Sequence, residues 1–83
     1  MLEDLKYASN KAVGMKQTLK AIQQGSVEQV FLARDIDDYI SNKIKDQCQN
    51  HGVSIIMVDS MKELGEACSI TVGAATAAIL KDI

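Results

Sequence analysis

Catalysis by a nucleophile needs a base beside it, and the only histidine, His51, sits next to Gly52 at the end of a predicted helix. There it reads as a surface or capping residue rather than a proton shuttle. Cys48 and Cys68 are too few and too far apart in the chain to staple a small scaffold, and with His51 they fall short of a zinc ligand set. They read as buried, reduced thiols, the state expected of a cytosolic protein. Asp35, Asp37 and Asp38 would attract Mg²⁺ at the carboxyl end of a strand, but capping and first-turn acids of a following helix are the simpler role. Tyr7, Phe31 and Tyr39 are the only aromatic residues, too few for a base-stacking platform. The expectation is a protein that is not an enzyme and uses neither cofactor nor metal.

One segment carries more, Val13-Gly14-Met15-Lys16-Gln17-Thr18-Leu19-Lys20. It lacks the upstream glycine of a GxxxxGK[ST] phosphate loop. Gly14 lets the chain turn sharply and a ligand backbone approach closely. A helix starting just after it offers free N–H groups and the positive end of its dipole. Lys16 and Lys20 share one face with Gln17 beside them, while Met15, Leu19 and Ile22 point toward a core. Lysine donates to guanine O6 or N7, and glutamine both donates to and accepts from a base edge. Charge is segregated in the same direction. Between Leu5 and Val27 there are four lysines and no acid, whereas the rest of the chain holds five basic residues against eleven acidic ones. A local positive face on an acidic protein suits a phosphate backbone. A merely solvated lysine face fits the charge pattern too.

These residues must be held by a small frame. Eighty-three residues make a single domain spanning 1–83, with one core and little depth for a large cofactor cavity. Hydrophobic residues at 47% with 24% charged exclude a disordered tail or a fibrous repeat. The uncharged stretch from Ala67 to Leu80 is too short and too polar to cross a bilayer, and the Met1-Leu2-Glu3-Asp4 start lacks the basic segment of a secretory signal. A cytoplasmic location is expected.

Leu2, Leu5, Ala8 and Ala12 predict a first helix, and Met15, Leu19 and Ile22 a second that stops at Gly25-Ser26. Val27–Ala33 reads as a buried strand. Asp35–Asp38 open a third helix with Ile40, Ile44, Gln47 and Cys48 inward, ending at His51-Gly52. Ser54–Val58 is a second strand, and Ser60-Met61-Lys62-Glu63 is a capping box before a short helix through Leu64 and Cys68. Val72–Leu80 reads as a closing strand. The order α, α, β, α, β, α, β predicts a layered α/β domain, an α-β-α sandwich around a largely parallel sheet.

Four blocks then match a known pattern in order and spacing. They are Gly14–Lys20 with Gly25 following, Ala33-Arg34-Asp35-Ile36-Asp37, Val58-Asp59-Ser60-Met61-Lys62-Glu63-Leu64-Gly65, and Ile70-Thr71-Val72-Gly73-Ala74-Ala75. Through them nearly the whole chain resembles the kink-turn RNA-binding ribosomal proteins of the L-seven-Ae and L-thirty-e type, most of all the short bacterial members of Gram-positive organisms. The resemblance implies a three-layer α-β-α sandwich with a four-stranded mixed sheet. It also implies binding to RNA helices bent sharply at a three-nucleotide bulge followed by tandem sheared G·A pairs. Gly14, Met15, Lys16, Gln17 and Lys20 would then face the guanines of those pairs. Ile70, Thr71 and Val72 would pack on the extruded bulge nucleotides.

Where the archaeal pattern has Asn-Glu, this chain has Lys16-Gln17, as the bacterial members do. The change trades a carboxylate acceptor for a cation, so binding should lean more on electrostatics. The partner expected is a structured RNA containing a kink-turn, whether ribosomal RNA, a riboswitch or another non-coding RNA, bound by a monomer without a membrane. A small protein-interaction module with no RNA ligand is the alternative.

Overall fold

The structure, a computed structural model, describes residues 2–81. Eight elements alternate along the chain: α1 (Leu2–Tyr7), β1 (Lys11–Val13), α2 (Met15–Gln23), β2 (Val27–Ala33), α3 (Asp38–His51), β3 (Ile55–Val58), α4 (Met61–Ala67) and β4 (Thr76–Leu80). The strands form one sheet in the order β1-β4-β2-β3. Only β2 and β3 run parallel, with Val30 opposite Ile55 and Ala33 opposite Val58. β4 lies antiparallel between β1 and β2.

The sheet is therefore four-stranded and mixed, as the resemblance implied, and not largely parallel as the pattern of elements suggested. Two departures explain the difference. Lys11–Val13 is a strand where helical spacing runs on through Ala12. Three residues are too few to show alternation, and their pairing partner, Ala77–Ile79, lies more than sixty residues away in the chain. The closing strand starts at Thr76 rather than Val72, because Ile70–Ala74 runs along α4, tied to it at both ends, instead of joining the sheet.

Alternating side chains divide the sheet into two apolar faces. Phe31, Ala33, Val58 and Ala77 pack with Leu5 of α1 and with Leu64, Ala67 and Cys68 at α4. Val30, Leu32 and Ala78 pack on the other side with Ala21 and Ile22 of α2 and with Ile44 and Cys48 of α3. Each fully buried Phe, Leu or Ile contributes about 1.5–3 kcal/mol of apolar burial, so the two layers hold the sheet from both sides. Both cysteines are buried and unpaired. Burial raises both thiol pKa values, and at Cys68 the nearby Lys11 charge pulls back against it.

The topology brings the four sequence blocks to one end. β1 and β2 both oppose β4, and β3 parallels β2, so β1, β2 and β3 all point the same way. Their carboxyl ends carry Gly14, Arg34–Asp37 and Asp59-Ser60, and β4 begins beside them after Ile70–Ala75. Backbone bonds join these segments. Gly14 N–H donates to Thr76 O at 2.9 Å, Ala33 N–H to Ala75 O at 2.9 Å and Arg34 N–H to Val58 O at 2.8 Å. The buried Thr76 hydroxyl adds a 2.6 Å bond to Phe31 O, fixing where β4 starts against β2.

Candidate nucleic-acid interface

Gly14 enters α2 at φ 91°, ψ 163°, a conformation essentially confined to glycine. A Cβ there would meet nothing within 4 Å, so the space above the start of α2 is open to a ligand. The helix begins with no side-chain cap and no acidic residue in its first turn. α3 and α4 differ. Asp37 accepts from Tyr39 N–H at 2.7 Å with Asp38 in the first turn, and Ser60 accepts from Glu63 N–H at 3.1 Å with Glu63 in the first turn. The positive end of α2 is thus left uncompensated. Lys16, Gln17 and Lys20 are exposed there, and among the described residues their side chains make no hydrogen bond or ion pair. Met15 is half-buried and Ile22 fully buried, so the core-facing stripe falls where the spacing put it.

The second set of residues sits at the same end of the sheet. Ile70 is half-buried and packs on the α1/α4 core, while Thr71 is exposed and Val72 is 68% exposed. Ile70 and Val72 do not share a face, as strand alternation would have made them, because the segment is not a strand. An exposed branched side chain covers a planar base without needing an aromatic ring. Ile70 instead anchors the loop from below.

The expected cluster of four lysines divides. The Lys11 ammonium bonds the Leu5 and Lys6 carbonyls at 3.3 and 3.4 Å, closing the carboxyl end of α1. Lys6 stands 5.7 Å from the Tyr7 ring centroid on the same helix. Only Lys16 and Lys20 belong to α2. Gln17 and Lys20 border a groove of about 510 Å³ that runs between α2 and β1 past Gln24 and Ser26.

Asp35 is also placed differently from its expected part in α3. Its Oδ1 accepts from Met61 N–H at 2.8 Å, so it caps α4 across the gap between two loops. Nothing in the local pattern shows this, because donor and acceptor lie 26 residues apart. Arg34 and Asp59 approach to 3.5 Å as an exposed pair, which contributes little by itself. Among the described residues, no three His, Cys, Asp or Glu side chains form a metal cage, and no helix is long and apolar enough to cross a membrane.

Comparison with known proteins, through the family match and relatives named as RNA-binding proteins, points to a non-enzymatic RNA-binding protein of ribosomal type. The chain belongs to the ribosomal protein L7Ae/L30e/S12e/Gadd45 family, whose profile matches residues 2–82. It is 50% identical over 68 residues to an RNA-binding protein of Caldanaerobacter subterraneus subsp. tengcongensis, covering 82% of this chain and 83% of that one. It is 44% identical over 79 residues to an RNA-binding protein of Halalkalibacterium halodurans, covering 95% and 96% of the two chains. Among solved structures, the 15.5kD RNA binding protein of Giardia lamblia superposes with a TM-score of 0.87 at 29% identity, over 98% of this chain and 71% of that one.

Proposed function

We propose that this chain is a bacterial, cytoplasmic RNA-binding protein that acts as a monomer and recognises kink-turns, in ribosomal RNA, a riboswitch or another non-coding RNA. The observation that carries this reading is one juxtaposition. The uncapped start of α2, with Gly14, Lys16 and Gln17, shares one end of the sheet with the exposed Val72 loop. A kink-turn needs both. Its tandem sheared G·A pairs offer guanine edges to Gln17 and Lys16, and its backbone phosphates meet the helix start and Lys20. Its extruded bulge nucleotides need an apolar cover, which Val72 supplies and Thr71 borders. The relatives named as RNA-binding proteins and the family match support an RNA partner.

Competition between a kink-turn duplex and a straight duplex of equal length tests the proposal. The expected outcome is that the straight duplex displaces the kinked one only in large excess. Equal competition by the two would leave non-specific phosphate attraction as the whole of the binding and would favour a protein-interaction role.

A further inference from the structure

Gly65 lies inside α4, is buried, and has an ordinary helical φ. Its place in the chain is thus not explained by conformational freedom. A glycine in a helix interior costs about 0.8–1 kcal/mol against alanine, and a seven-residue helix has little propensity to spare. The neighbouring loop supplies the reason. A Cβ on Gly65 would run into the carbonyl oxygen of Val72 and come within 3.1 Å of both the Val72 carbonyl carbon and the Gly73 Cα. These are backbone atoms, so no side-chain rotation relieves the clash.

The same helix ties the loop at both ends. Ile70 N–H donates to Gly65 O at 3.1 Å, and Ala74 N–H donates to Met61 O at 3.0 Å. A Cβ on Gly73 would meet the Met61 Cβ at 3.0 Å. Ser69, at φ 62°, turns the chain from α4 into this path, and Ile70 anchors it in the α1/α4 core. Val72 stands between the two ties with its side chain outward.

We propose that Gly65 is a positioning residue for RNA recognition: its missing side chain lets the loop lie flat on α4, which sets where Val72 stands relative to the start of α2. This rests on the kink-turn reading. Gly65 itself touches no RNA. With a methyl group at 65 the loop must lift, the two ties cannot both persist, and Val72 moves away from the bulge while Lys16, Gln17 and Lys20 stay in place.

The test compares wild type, Gly65→Ala, Val72→Ser and the double variant on kinked and straight duplexes across a salt series. Gly65→Ala is expected to reduce the preference for the kinked duplex as far as Val72→Ser does, on the order of tenfold. Its salt dependence should match wild type, because the lysines are untouched. The double variant should be no worse than Val72→Ser alone, since residues acting through one contact do not add. Amide exchange should rise at Ile70 and Ala74 but not at Thr18 of α2. Should Gly65→Ala not fold, Gly73→Ala imposes the milder displacement against Met61 and takes its place in the same comparison. Full retention of the kinked preference in these variants, or losses that add in the double variant, would overturn the role of Gly65. A wild-type chain that shows no preference overturns the kink-turn reading beneath it, a distinct result.

Discussion

At the scale of single residues, the proposed RNA contact asks two kinds of interaction of three exposed side chains at the start of α2. Among the described residues, Lys16 and Lys20 form no ion pair, so none of those acids competes with a phosphate for either ammonium. Gln17 is neutral and offers a donor and an acceptor from one amide. On the proposed reading, removing a lysine removes a counterion-release contribution, and removing Gln17 removes a directional one. Lys16→Ala and Lys20→Ala are each expected to weaken binding and to lower the salt slope by roughly one unit. Gln17→Ala should leave that slope intact and reduce discrimination for sheared G·A pairs by about 1–3 kcal/mol if its contact is bidentate. Titrations of kinked RNAs with and without the G·A pairs, at several salt concentrations, separate the two. Unchanged discrimination in Gln17→Ala would move base readout elsewhere on α2. None of these changes should alter folding stability beyond about 0.5 kcal/mol, the usual range for exposed sites.

At the scale of elements, α4 is the piece most dependent on its surroundings. Seven residues do not form a stable helix alone. α4 gains two acceptors at its start, Ser60 Oγ from its own flank and Asp35 Oδ1 from the β2–α3 loop. Asp35→Ala and Ser60→Ala should each lower unfolding free energy by about 1 kcal/mol, the usual cost of losing a helix cap, as read from urea midpoints. If Asp35→Ala unfolds like wild type, the bond across the two loops adds nothing net.

The contrast between these two caps also marks what the sequence makes legible. Ser60 belongs to a local four-residue signature, and so do Asp37 before α3 and the apolar run of β2, and all are found where the pattern puts them. Asp35, β1 and the start of β4 depend on partners far away in the chain, and periodicity is blind to those. The candidate interface follows the same rule. The start of α2 is readable from Gly14, Lys16 and Gln17. The outward turn of Val72 depends on α4 holding the loop clear of the sheet. The lysine cluster misleads because charge counting ignores direction, and Lys11 points its ammonium at α1.

At the scale of the whole molecule, the two cysteines act as independent reporters of the two apolar layers. Cys48 belongs to α3 and is buried in the layer it forms with α2, which carries Lys16 and Lys20, and Cys68 lies with α1 and α4, on the layer that carries the Val72 loop. Burial raises both thiol pKa values, at Cys68 against the opposing pull of Lys11. The sign follows from which state ionises first. As pH rises past the ordinary thiol value of about 8.5, the unfolded chain releases these protons while the folded chain still holds them. Deprotonation then favours the unfolded state. The thiols' contribution is full below that value and is lost progressively as pH climbs toward the raised folded values.

Urea unfolding under reducing conditions between pH 7.5 and 9.5 should therefore show falling stability, by at most about 1.4 kcal/mol per pH unit for each thiol. Cys48→Ala and Cys68→Ala should each flatten the profile, although each variant starts from a lower stability because a buried side chain is shortened. A wild-type profile that stays level to pH 9.5 would mean that neither layer holds its thiol in the protonated form.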